Sequence, residues 1–142
     1  MTGKPDYGDS HVLVIDDMNS TRALLEDMLR DLGFKFVSTA RNGIDALQQM
    51  TQSSVDLIIS DELMDGMCGT ELLEKIRAKP DLCHIPFILV TSLRDAPAID
   101  TALDLGVDDY IPKPISISLL RRKIEDVFRR RMTPVQAARG AA

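Results

Sequence analysis

A small set of polar residues closes the short apolar runs of this chain. Asp16 and Asp17 follow His11–Ile15, Asp61 follows Leu57–Ser60, Thr91 and Ser92 follow Phe87–Val90, and Lys113 follows Tyr110–Pro112. These residue types suit phosphoryl chemistry. A carboxylate such as Asp61 can act as a covalent nucleophile. Asp16 and Asp17 beside it would repel it, and a hard cation with oxygen ligands relieves that repulsion. Mg²⁺ fits, since it is held by one or two carboxylates together with phosphate and water. A Thr91 hydroxyl can donate to a phosphoryl oxygen, and the Lys113 ammonium can serve another as a point charge. Pro112 and Pro114 flank Lys113 and restrict its backbone, and a cis peptide before Pro114 is compatible with the sequence.

For these groups to meet, the apolar runs must lie side by side with their ends aligned. Leu57–Ile59 is short, β-rich and flanked by polar residues, as a strand buried on both faces would be. Such a strand ends at the carboxyl edge of an open α/β sheet, where ligands bind. Helical periodicity separates the strands. Leu24, Leu25, Met28, Leu29 and Leu32 share one face of a first helix capped by Asn19 or Ser20 and closed by Gly33. A second strand is expected over 35–38. Gly43 marks a turn before a helix that buries Ile44, Leu47 and Met50. Thr70 caps a third helix with Leu72, Leu73 and Ile76. Pro86 opens the fourth strand, and a helix from about Asp95 to Gly106 buries Ile99 and Leu103. Tyr110–Ile111 is a minimal fifth strand, and Leu120, Ile124 and Val127 line a last helix reaching about Arg131. Strand then helix, five times, predicts an α/β domain with a doubly wound five-stranded parallel sheet. Residues 1–10 read as a flexible lead-in, 11–131 as the domain, and 132–142 as a flexible tail containing Arg139.

With 142 residues, 44% hydrophobic and 27% charged, one globular domain is expected. No apolar run approaches a membrane span, and no leader is visible. Cys68 and Cys83 are isolated and read as reduced thiols, so a cytoplasmic setting is expected and a zinc site is not. His11 and His84 read as structural. The net charge of −5 is uneven, because residues 121–142 carry seven basic and two acidic groups. That asymmetry marks the C-terminal segment as an interaction candidate.

Taken together, these residues resemble the receiver domain of two-component response regulators over about residues 10–131. The resemblance is carried by Val12–Asp17, by Asp56–Asp61 with Met64 and Gly69, by Leu89–Ser92 and by Tyr110–Pro114. It implies a flavodoxin-like sheet in the order 2-1-3-4-5. It implies that Asp61 accepts a phosphoryl group from a histidine kinase, a phosphotransfer protein or a small phosphodonor. Asp17, Asp61 and the Leu63 backbone carbonyl would bind Mg²⁺, with Asp16 acting through water. Thr91 and Tyr110 match the switch pair, and Lys113 the phosphate-binding lysine. Such a protein is not an enzyme beyond slow self-dephosphorylation. The sequence departs from the family at Asp65, where proline is usual after the methionine, and at Cys68, where an acidic residue is common. Glu62 adds negative charge beside Asp61. These changes bear on phosphorylation rather than fold.

Two functional classes follow. In the first, the length leaves no room for an output domain, so a stand-alone chemotaxis-like receiver works by protein contact through residues 96–131, for example at the flagellar switch. In the second, Arg121, Arg122, Arg129, Arg130, Arg131 and Arg139 bind cyclic di-GMP. Arginine reads guanine bidentately and stacks on bases, and some stand-alone receivers carry such a segment. Nucleic acid is not expected as a partner. An aspartate-nucleophile phosphatase would need a second aspartate where Leu63 stands, and no glycine-rich phosphate loop is present.

Overall fold

The computed structural model describes residues 7–92 and 96–141, with side chains described as far as Arg131. The first six residues of the expected lead-in, Asp95 and the Arg139 side chain lie outside the described residues.

Five strands, β1 (His11–Ile15), β2 (Phe36–Ala40), β3 (Leu57–Asp61), β4 (Phe87–Thr91) and β5 (Asp109–Pro112), alternate with five helices. These are α1 (Asn19–Asp31), α2 (Gly43–Met50), α3 (Gly69–Arg77), α4 (Ala96–Asp104) and α5 (Ile117–Ala141). All strand pairs are parallel, in the order β2-β1-β3-β4-β5. Because side chains alternate along a strand, the sheet feeds two cores. Val12, Val14, Leu57, Ile59, Ile88, Val90 and Ile111 pack with Leu25 and Leu29 of α1 and Leu120, Ile124 and Val127 of α5. Leu13, Ile15, Ile58, Phe87 and Leu89 pack with residues of α2, α3 and α4. The strand order reverses between β1 and β3, which makes the carboxyl ends of those two strands the natural crevice.

Two helices end as their glycines predict. Gly33 has φ 113°; its N–H donates to Arg30 O and the Phe34 N–H to Leu29 O. Gly106 has φ 89° and closes α4 in the same way through Leu103 O and Ala102 O. Other ends differ from expectation. Met18, not Asn19 or Ser20, holds the cap position of α1, and it offers no capping side chain. Gly43 is the first residue of α2, and Asn42 caps that helix by accepting from the Asp45 N–H at 2.8 Å. The second strand starts one residue later than expected and continues to Ala40. Ile44, Leu103 and Leu24 are 61%, 56% and 48% exposed, so α2, α4 and α1 bury narrower faces than their apolar residues suggest. In α4 only Ala102 is buried.

At the amino edge of the sheet, Asp108 gathers cations. Arg131 reaches it with two bonds of 2.6 and 2.8 Å, and Arg77 with one of 2.9 Å, while the Phe87 N–H donates at 2.9 Å. The end of α3 and the middle of α5 are thereby tied to the start of β4. Helix α5 continues past Arg131, through the segment expected as a tail.

The lead-in is anchored at Tyr7, which is 4% exposed, stacks on Phe34 at 4.4 Å and meets Phe128 edge-on at 5.2 Å. Its hydroxyl is buried without a hydrogen-bond partner. Burial, with the Glu125 charge second, pushes its pKa up to about 12. Its protonated form is therefore favoured by folding, and that stability is complete below the ordinary value of 10.0 and lost as pH rises through 12. Tyr7→Phe should keep the ring contacts and remove the unpaired hydroxyl, stabilising the fold by about 1 kcal/mol at neutral pH. Urea denaturation should show the gap widening above pH 10; a variant less stable than wild type at every pH would contradict this.

Candidate functional site

Ile15 pairs with Ser60 across β1 and β3, so the residues that follow, Asp16 and Asp61, emerge side by side. The backbone of Asp16 is held by its N–H on Ala40 O at 3.1 Å, and its Oδ1 accepts from the Met18 N–H at 2.9 Å. Asp16 is 1% exposed and Asp61 5%, while Asp17 is open to solvent. Carboxylate oxygens of all three lie within 4.8 Å of one another. Burial raises the pKa of Asp16, and the negative charges of Asp61 and Asp17 raise it further against the opposing Met18 hydrogen bond and Lys113 charge.

Lys113 completes the cluster from β5. Its N–H donates to Thr91 O at 3.0 Å, and its peptide to Pro114 is cis. Nζ stands 2.9 Å from Asp61 Oδ1. This contact is charge against charge, because Oδ1 is buried and accepts no hydrogen bond of good geometry. A buried anionic oxygen met by the Lys113 charge but by no well-aligned hydrogen bond, beside two further carboxylates, fits a small divalent cation with oxygen ligands. Asp16, Asp17 and Asp61 are the residues that would hold it.

Thr91 ends β4, one residue beyond the Asp61–Val90 pair, and is 2% exposed. Its hydroxyl donates locally, to Ser92 O at 3.2 Å. Tyr110 is half-buried on β5, with Lys123 Nζ 5.5 Å from its ring centre and bound to Asp109 at 2.8 Å. Leu63 lies in the loop after β3, with its side chain 66% exposed.

Two acidic residues in this loop behave differently from expectation. Asp65 is exposed and stands outside the carboxylate cluster. Glu62 is buried and turned away to α3, where Oε1 accepts the Thr70 N–H at 2.8 Å and Oε2 the Thr70 hydroxyl at 3.2 Å. Thr70 is therefore capped and does not itself cap. Cys68 takes the cap position instead, and Glu71 reaches back to its N–H at 3.3 Å. Burial pushes the Cys68 thiol pKa up.

Among the described residues, the basic side chains of α5 are not gathered into one site. Arg121 and Arg122 are exposed, and Arg129 pairs with Asp126 at 3.1 Å. Arg130 is bound to Asp108 O and Asp109 Oδ2, and Arg131 to Asp108 and His84 O. These contacts lie at the opposite edge of the sheet from Asp61.

The carboxyl edge of an open parallel α/β sheet thus brings together three carboxylates at the switch point and a lysine from the end of β5. Residues 12–125 match the response regulator receiver domain, and the chain belongs to that family. It is 34% identical over 119 residues to the chemotaxis protein CheY-3 of Vibrio cholerae serotype O1, covering 84% of this chain and 92% of that protein. It is also 42% identical over 123 residues to the probable transcriptional regulator ycf27 of Cyanidium caldarium, covering 87% of this chain and 48% of that protein. Among solved structures, the receiver domain of a histidine kinase from Syntrophus aciditrophicus superposes with a TM-score of 0.77 at 32% identity, covering 83% of this chain and 89% of that one. The protein is thus a CheY-like receiver of two-component signalling.

Without a cation, the charged form of Asp16 opposes folding. That cost is absent below the ordinary value of 3.8 and grows as pH rises through the raised value. Asp16→Asn should therefore stabilise the cation-free protein at pH 7, with the gain fading on acidification below 3.8. Mg²⁺ at a hundredfold excess over its Kd should add about 2.7 kcal/mol to the wild type and less to the variant. Urea denaturation in EDTA and in Mg²⁺ checks both; a variant destabilised in EDTA at pH 7 would count against the geometry.

Proposed function

We propose that this protein is a single-domain response regulator whose Asp61 accepts a phosphoryl group from a histidine kinase or phosphotransfer protein. The observation that carries the reading is the buried Asp61 Oδ1, met by the Lys113 charge at 2.9 Å and lacking a hydrogen bond. An Asp61 oxygen forms the new bond to phosphorus as the phosphorus–nitrogen bond of the phosphohistidine breaks, and the released imidazole takes up a proton. Asp16, Asp17 and Asp61, with the Leu63 carbonyl, would hold Mg²⁺. When bound, Mg²⁺ offsets negative charge on the transferring oxygens. Lys113 stabilises a second oxygen. The Thr91 hydroxyl leaves Ser92 O to donate to the phosphoryl group, and Tyr110 repositions with it, shifting a two-state equilibrium.

The output is a protein contact on the surface of α4, β5 and α5, where Leu103 and Ile117 are exposed. The relatives named as chemotaxis proteins support a role in chemotaxis, and the flagellar switch is the partner we propose for that role. The cytoplasm is the expected compartment, and among the described residues no helix is long and apolar enough to cross a membrane. A second reading, cyclic di-GMP binding by the arginines of α5, would draw on the exposed Arg121, Arg122 and Arg129, because Arg130 and Arg131 are engaged by Asp108, Asp109 and His84 O. Calorimetry of the intact chain with cyclic di-GMP tests it: saturable heat would support it, and its absence would end it.

With Mg²⁺ and phosphoramidate, mass spectrometry of the wild type should show the mass of one added phosphoryl group. Asp61→Asn, or EDTA, should abolish the addition, and Lys113→Ala should reduce it. A wild type that gains no mass would defeat the proposal.

A further inference from the structure

The loop that follows Asp61 is clasped at its base by a side chain with no part in the chemistry above. Glu62 is 6% exposed. Its N–H donates to Val90 O and its carbonyl accepts the Gly69 N–H, each at 3.0 Å. Its carboxylate accepts both the N–H and the hydroxyl of Thr70, at 2.8 and 3.2 Å. One residue therefore joins β4, the end of β3 and the first turn of α3. Residues 63–68 make their excursion between the two ends of this clasp. The fit is close: a Cβ on Gly69 would stand 2.5 Å from Asp61 O. At the far side of the loop, Met67 lies against Gly43, the first residue of α2.

A buried carboxylate is costly unless hydrogen-bonded. Here the N-terminus of α3 supplies both a donor and a favourable partial charge. An apolar residue would fill the same space with no directional hold on α3. The clasp therefore fixes the angle at which the chain leaves Asp61, and Leu63 is the next residue.

We propose that Glu62 is a positioning residue for the cation site. By tying the exit of β3 to Thr70, it returns the Leu63 carbonyl to the cluster of Asp16, Asp17 and Asp61. This rests on the cation reading above. Two simpler roles compete with it. A plain helix cap would change stability and leave cation affinity alone. A plain charge effect would follow the negative charge of Glu62, not its hydrogen bonds.

Three full-length variants separate these, with Mg²⁺ affinity measured by calorimetry and stability in EDTA measured alongside. Glu62→Ala removes the clasp and should weaken Mg²⁺ about 10- to 100-fold, as loss of an outer-shell partner does. Glu62→Gln removes the charge but retains an acceptor for the Thr70 N–H and a donor for its hydroxyl, and should bind close to wild type. Thr70→Val keeps the N–H and loses the hydroxyl, and should fall between wild type and Glu62→Ala. Glu62→Ala with wild-type affinity would overturn the proposal, and so would Glu62→Gln as weak as Glu62→Ala. If Glu62→Ala does not fold, Thr70→Val decides: unchanged affinity overturns the proposal. A wild type that binds no Mg²⁺ would instead remove the cation reading itself, and this inference with it.

Discussion

Three carboxylates and one ammonium share a space that no electrostatic argument would choose for a resting protein. Oxygens of Asp16, Asp17 and Asp61 lie within 4.8 Å of one another. At an effective dielectric of about 20, two full charges at that separation repel by on the order of 3 kcal/mol. Lys113 offsets part of this, but at 36% exposure its attraction is screened by water. The arrangement persists because the backbone imposes it. Asp16 is held through Ala40 O, Asp61 lies within β3, and the Lys113 N–H is held by Thr91 O. None of these residues can retreat without breaking the edge of the sheet. The two hydrophobic cores supply the free energy that keeps a repulsive cluster assembled and ready for a cation.

The opposite edge of the sheet shows the contrasting solution. There Asp108 is surrounded by Arg77, Arg131 and the Phe87 N–H, and Asp109 by Lys123 and Arg130. Each carboxylate there meets two cations through hydrogen bonds, and the pairs are only partly buried, so little desolvation cost opposes them. One edge is under electrostatic tension and the other is satisfied. This division follows from parallel topology, which collects all carboxyl ends on one side and all amino ends on the other.

The site was legible in the sequence because its members stand at strand ends. A short apolar run that stops at a carboxylate identifies both the element and the group it presents. Asp16, Asp17, Asp61, Thr91 and Lys113 could be placed along one edge before any coordinates. The two-faced core was equally legible from Leu57–Ile59 and from the Leu120, Ile124 and Val127 spacing. Other features were not. Tyr7 sits among polar residues, and nothing local announces that its ring stacks on Phe34. The faces of α2 and α4 were drawn too wide because Ile44 and Leu103 match the helical period yet project beyond the core. Glu62 carries the clearest lesson. Its partner Thr70 is eight residues away across a turn, a separation with no sequence signature. From composition it is one more negative charge beside Asp61; in the fold its carboxylate is turned to the positive end of α3.

The arginines of α5 turn on the same principle from the other direction. Seven basic and two acidic groups over residues 121–142 suggest an anionic partner. A count along the chain cannot include acids that are near only in space. Asp108 and Asp109 lie more than a dozen positions before Arg130 and Arg131, yet β5 runs toward the sheet's carboxyl edge and α5 runs back from it, returning its later residues to the amino edge. Arg130 and Arg131 therefore arrive where those two aspartates begin β5. Much of the apparent excess charge is balanced within the molecule. Arg121 and Arg122, nearer the start of the helix, are exposed, and Arg129 and Arg130 stay exposed even while paired with Asp126 and Asp109. Pairing therefore lowers the net charge of this surface without burying it, and exposed ion pairs of this kind add little to stability.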